Sequence, residues 1–293
     1  MNIYLNEIRT SGLFSSNEFK QSNEYIFGGL SFFLGSLVLV KIYPENIKND
    51  LLISRALDFT LIYLYLDHYL DSSNVKLEDK CQMISELKTI MNGESSSKHQ
   101  LIAERYQKLI TPELQPIVVD LFQTVVESFQ IQYQTNSTCL ETYLDITKRK
   151  GALTILAMYM LVNRKVLSSD DNTYLSLKKL GECIQILDDI IDASDDLSSG
   201  IMTAATYLIK KEKKLDMLAL YLLREITLLP SKMEMLKFTM RSCVYYVMLR
   251  SRHFSLNLKR KCLQKLNKNR CKYIRFPSFR RRLEKEFRSY VLS

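Results

Sequence analysis

Gly181–Gly200 reads GECIQILDDIIDASDDLSSG. Wound at helical period, Gln185, Asp188, Asp189, Asp192 and Asp196 fall within an arc of about 100°. Ile186, Leu187, Ile190, Ile191 and Ser194 take much of the other side. Asp188, Asp192 and Asp196 step by four, which stacks their carboxylates along one stripe roughly 6 Å apart at each step. Glu182 and Asp195 bring the acids to six, and the stretch has no Lys or Arg. A solvated face usually mixes signs. Like charges at i,i+4 repel and Asp is a mediocre helix former, so the run needs a compensating charge. A divalent cation supplies one, and hard oxygen donors suit Mg²⁺ or Mn²⁺.

Outward from this stretch the apolar pattern is helical, and no run alternates at period two. Eight glycines and five prolines in 293 residues are too few for a turn-rich β architecture. An apolar content of 46% with 25% charged residues excludes wholesale disorder. The expectation is an all-α chain, 1–293 forming a single domain, with 1–21 an irregular arm and 251–293 a basic helical tail. Helices are expected at Tyr25–Val40, Ile47–Asp71, Leu77–Met91 and Lys98–Ile110. Thr111-Pro112-Glu113 should open another, with Pro at its first position, running to about Gln134. Ser137–Val166 follows, then the acidic helix capped by Ser168–Asp171, and Ser198–Lys211, Leu215–Leu228 and Pro230–Arg250.

The net charge of +9 is uneven. From Arg250 onward fifteen Lys and Arg face Glu284 and Glu286, a balance of +13, which leaves −4 on the first 249 residues. Such a tail suits a membrane, a nucleic acid, a diphosphate or the acidic body itself. No aromatic-and-glycine signature of RNA binding accompanies it, so no nucleic-acid partner is expected. The six cysteines include no CxxC pair and the three histidines lack zinc-ligand spacing, which points to a reduced, cytoplasmic protein. Met1–Glu24 is too polar for a secretory signal, and the uncharged run Tyr25–Val40 is too short for a usual transmembrane segment.

A second acidic pair ends the apolar helix Leu61–Asp71, LIYLYLDHYLD, where Asp67 and Asp71 are spaced i,i+4. Carboxylates on such a helix are costly to bury unless they meet a cation or water. At these two stretches the chain resembles the class I isoprenoid synthases, that is, trans-prenyl diphosphate synthases and the terpene cyclases that share their fold. Asp67-His68-Tyr69-Leu70-Asp71 is similar to their first DDxxD motif, with His in the second place. Gln185-Ile-Leu-Asp188-Asp189-Ile-Ile-Asp192 matches the second, Q-x-x-DDxxD, in full. Asp188, Asp192 and Asp196 also parallel the metal-binding triad of class I cyclases, where Asn, Ser and Glu are usual. Asp196-Leu-Ser-Ser-Gly200 is similar to the D-L-x-x-G segment that follows the second motif. Lys148-Arg149-Lys150-Gly151-Ala152-Leu153 is the basic counterpart of the Lys-Thr-Gly-x-Leu element.

The resemblance implies a bundle of about ten to twelve helices around a central cavity, and a homodimer. It also implies three Mg²⁺ ions held by Asp67, Asp71, Asp188, Asp192 and Asp196, with Mn²⁺ as a substitute. Arg149, Lys150 and Gln185 would contact a prenyl diphosphate, farnesyl or geranylgeranyl diphosphate by expectation. Phe59, Tyr63 and Tyr69 are candidate neighbours of an allylic cation, through their π faces.

Departures narrow the activity. The early GGKRxRP motif, which grips isopentenyl diphosphate, corresponds to Gly28-Gly29-Leu30-Ser31-Phe32-Phe33-Leu34, with every cation gone. Ser72-Ser73-Asn74 replaces the Arg-Arg-Gly after the first motif, and Ile201 replaces the Lys after Gly200. Each lost charge-assisted contact is worth roughly 1.5–3 kcal/mol, so a second diphosphate should bind poorly. The expected activity is therefore that of a terpene synthase, which ionises one allylic diphosphate and releases a hydrocarbon or alcohol. The alternatives are a chain-elongating prenyltransferase that binds isopentenyl diphosphate through the basic tail, a head-to-head condensing synthase, and a non-catalytic subunit of an active synthase.

Overall fold

A computed structural model describes residues 10, 23–45, 48–71, 75–91, 100–133 and 139–268. Among them are twelve α-helices and two short 3-10 turns, and no strand. The expected 1–21 arm lies outside the described residues apart from Thr10, as does the tail beyond 268.

Helices α1 to α5 span Asn23–Ile42, Asn49–Asp71, Leu77–Met91, Gln100–Leu109 and Gln115–Tyr133. Then α6 to α8 cover Leu140–Asn163, Asn172–Ile191 and Ala193–Ser199. The last four, α9 to α12, are Ala204–Lys210, Asp216–Thr227, Glu234–Arg250 and Leu256–Lys268. The element expected from Thr111 begins as a 3-10 turn, Pro112–Leu114, and the α-helix starts at Gln115. Pro116 follows in its first turn, where a missing N–H costs no helical bond. The cap on α7 forms as expected: the backbone N–H of Thr173 donates to Asp171 Oδ1 at 2.6 Å.

The chain divides into two compact units. The first holds 1–130 with 153–178, the second 131–152 with 179–293, and α6 and α7 each run through the division.

In the first unit α1 packs on α2, and α4 packs on both α2 and α3. From Ala56 to Ile62 every residue of α2 is buried, and so is every residue of α6 from Leu156 to Asn163. Apolar residues all round a helix demand neighbours on every side, which makes these two the inner elements. The one acid in that run of α2, Asp58, meets Arg105 of α4 at 2.5 Å. Tyr159 of α6 donates its hydroxyl to the Tyr43 carbonyl and to Glu45.

In the second unit α10 packs on α11, α11 on α12, and α8 on α9. Leu218, Ala219, Leu222 and Ile226 form the buried stripe of α10, at the i, i+4, i+8 spacing of an amphipathic helix. Tyr143 of α6 lies 5.4 Å from Tyr207 of α9, ring centre to ring centre. Among the described residues no helix is long and apolar enough to cross a membrane.

Candidate functional site

The acidic stretch is not one straight helix. Helix α7 ends at Ile191, the chain bends at Asp192 (φ −90°, ψ 2°), and α8 restarts at Ala193. The four-residue step nevertheless survives in the backbone: Asp192 N–H donates to the Asp188 carbonyl, and Asp196 N–H to that of Asp192, both at 2.9 Å. Gly200 then stops α8 in the left-handed region (φ 76°), which only glycine enters without strain. The N–H of Ile201 closes the turn on the Asp196 carbonyl. Asp188 and Asp192 stand exposed, Asp196 half-buried. Gln185 lies one turn earlier and donates its side-chain N–H to Asp188 Oδ2 at 3.1 Å.

Within the same unit, α6 crosses α7 at a pair of glycines. A Cβ on Gly151 would lie 2.6 Å from Cβ of Gln185, and closer still to the Gly181 carbonyl. A Cβ on Gly181 would lie 2.9 Å from Cα of Ala152 and nearer yet to the Gly151 carbonyl. The two main chains therefore touch with nothing between them. This contact brings Thr147 and Lys150 of α6 onto the acidic helix. Thr147 Oγ1 donates to Asp189 Oδ2 at 2.8 Å, and both residues are buried. Burial pushes the Asp189 carboxyl up to about 7, with Asp188 and Asp196 adding like-charge repulsion, while the Thr147 hydrogen bond and Lys150 oppose the rise.

Of the expected site residues, the structure thus groups Lys150, Gln185, Asp188 and Asp196, with Asp192 at the bend between them. Arg149 is exposed, one residue round the helix from Lys150, and its Nε donates to Asp145 at 3.0 Å. Lys148 lies over the ring of Tyr221, 4.6 Å from its centre. Asp189 and Thr147 are the residues that the sequence reading left out of the site.

Asp67 and Asp71 belong to the last two turns of α2, in the other unit, and their side chains lie outside the described residues. The same i,i+4 row of α2 carries Phe59 and Tyr63. Phe32 of α1 stacks on both, with ring centres 5.8 Å from Phe59 and 3.9 Å from Tyr63. Gly28 and Gly29, the counterpart of the missing cationic motif, sit inside α1.

No protein-family model, no curated protein and no solved structure matches the chain.

The donor chemistry of the acidic turn suits a hard divalent ion, because Asp188 and Asp192 offer exposed carboxylate oxygens one bonded turn apart. Asp189 is differently placed, since its carboxyl faces Thr147 within the fold. Among the described residues no three His, Cys, Asp or Glu side chains are arranged around one point to hold a metal.

Proposed function

We propose that the chain is a Mg²⁺-dependent enzyme that ionises a linear allylic prenyl diphosphate and, within that class, a terpene synthase. One observation carries the reading. Two segments that the resemblance singles out independently, Lys148–Leu153 and Gln185–Asp192, lie far apart in sequence yet pack together through Gly151 and Gly181.

Asp188, Asp192 and Asp196 would hold divalent ions on this unit, and Asp67 and Asp71 are the proposed ligands of the first motif. The ions, when bound, supply Lewis acidity toward the departing pyrophosphate. Lys150 adds a cation near Asp189, and Thr147 fixes the Asp189 carboxyl so that the helix enters the bend in one register. Gln185 orients Asp188 through its amide. An isoprenoid synthase-like bundle with an apolar cavity, a homodimer and a cytoplasmic location belong to the same proposal. The cation-free glycine pair in α1 favours release of a terpene over chain elongation.

Incubation with geranyl, farnesyl and geranylgeranyl diphosphate, with Mg²⁺ and with or without isopentenyl diphosphate, tests this. The expected result is a hydrocarbon or alcohol by gas chromatography, lost on chelation and reduced about 100-fold in Asp192→Ala, as for the removal of one preorganised electrostatic group. Longer prenyl diphosphates would assign elongation instead. Inert behaviour with all three substrates, alongside co-purification with an active synthase, would assign a non-catalytic subunit.

A further inference from the structure

The first turns of α10 and α12, with the residues just before them, form a basic corner of the second unit that the proposed chemistry does not use. The turn before α10 is stitched to the turn before α12. Lys214 Nζ donates to the Arg252 carbonyl at 3.3 Å, and Leu215 N–H to the His253 carbonyl at 3.0 Å. Ser255 donates to Asp216 through both its N–H, at 2.9 Å, and its hydroxyl. These bonds engage the carboxylate of Asp216 and set the next residue of each chain segment, Met217 and Leu256, beside the same joint. Both are left in water, 76% and 60% exposed. Lys213, Lys214, Arg252 and Arg260 are exposed on the same two segments, beside the exposed acid Glu212, and from Arg250 to Lys268 there are seven cations and no acid. Burial, followed by the nearby cations Arg252 and Lys214, holds His253 below its usual range.

An exposed Met or Leu on its own needs no explanation. Two of them at one joint, on segments rich in exposed cations, match what an amphipathic surface presents to a lipid headgroup layer. A nucleic-acid backbone would use the cations and leave the apolar pair in water. A bilayer uses both, each cation being drawn to anionic lipid while the apolar side chains enter the acyl boundary.

We propose that this corner, with Met217 and Leu256 as its apolar pair and Lys213, Lys214, Arg252 and Arg260 as its cations, docks the protein on an anionic phospholipid surface. The attachment is peripheral. His253 Nε2 lies 3.3 Å from Ser194 Oγ of α8, so docking would hold the acidic turn near the lipid. The inference stands whether or not an allylic diphosphate is the substrate, because it rests on residues outside that site.

Sedimentation of the full chain with sucrose-loaded vesicles tests it, using phosphatidylcholine alone or with 30 mol% phosphatidylserine. Binding is expected to the anionic vesicles and not to the neutral ones, and to fall as salt rises. The double substitution Arg252→Gln with Arg260→Gln should weaken partitioning roughly 30-fold, from about fivefold per cation. Met217→Ser with Leu256→Ser should weaken it roughly tenfold at unchanged net charge. Circular dichroism melting of each variant separates lost docking from lost folding, since all four side chains are exposed. Absent binding to anionic vesicles would overturn the proposal. So would wild-type partitioning in a folded Met217→Ser, Leu256→Ser variant, because the cations would then act as a general polyanion surface.

Discussion

Among the described residues each unit buries one aspartate almost completely, and the two are treated in different ways. Asp58 of α2 and Asp189 of α7 are 8% and 6% exposed. Asp58 is met by the guanidinium of Arg105, so its charge is compensated where it is buried. Asp189 receives a neutral hydroxyl from Thr147, and the charge of Lys150 is set against two further aspartates near enough to repel it. The first arrangement builds a core. The second keeps a carboxyl in a place that folding alone does not favour, and such places are where function is sought.

The largest effect expected is at the compensated site. Arg105→Met removes this guanidinium from the buried Asp58 carboxylate and should cost about 3–5 kcal/mol in urea unfolding. Adding Asp58→Leu should recover most of that. A loss below about 1 kcal/mol would mean that Asp58 is not desolvated, and the contrast with Asp189 would collapse.

Next comes Asp189, where burial outweighs the nearby cation and the sign with pH is fixed. A carboxyl raised to about 7 in the folded chain keeps its proton while the unfolded chain, near the ordinary 3.8, has released it. The stability this group contributes is therefore full below about pH 4, falls as pH rises toward 7, and levels off above. Asp189→Asn keeps an acceptor for Thr147 and removes the titration. Relative to the wild type without added metal, it should gain about 2–4 kcal/mol between pH 4 and pH 8. An unchanged difference across that range would show that Asp189 is charged at neutral pH.

Gly181→Ala should cost about 1–3 kcal/mol through overpacking against backbone that cannot yield as a side chain does. The Thr147–Asp189 bond should lengthen with it, so the pH-dependent difference from Asp189→Asn should shrink in the Gly181→Ala background. Smallest is Thr147→Val, which removes the hydroxyl donor to Asp189 at similar volume. It should cost about 1 kcal/mol above pH 7, and less at pH 4.

Much of the fold was readable because apolar periodicity is a local property. Leu77–Met91 was expected and found with the same ends. Asp171 was read as a cap and is one. The helix expected from Thr111 starts later because Pro112 and Pro116 both fall where it would begin, and the first is accommodated in a 3-10 turn. Part of the site was readable for the same reason: the four-residue step from Asp188 to Asp196 is written in spacing, and the backbone keeps it through the bend. What spacing does not carry is which member of a stripe meets another helix. Asp189 falls in the same arc as Asp188, and only the crossing of α6 decides that one is buried and the other exposed. That crossing is fixed by two of eight glycines, and nothing local marks Gly151 and Gly181 as partners. The bonds from the 251–255 turn to Asp216 and Lys214 are likewise tertiary, and no periodicity announces them.

At Gly151 and Gly181 the gap between two helices is gauged by peptide thickness alone. A gauge made of side chains changes whenever a rotamer changes, whereas one made of main chain has no such freedom. Lys150 adjoins Gly151 and Asp189 lies eight residues beyond Gly181, so thermal repacking elsewhere in the unit reaches them chiefly by moving whole helices. The acidic turn can bend at Asp192 while its root keeps one fixed distance from the segment that carries the positive charge.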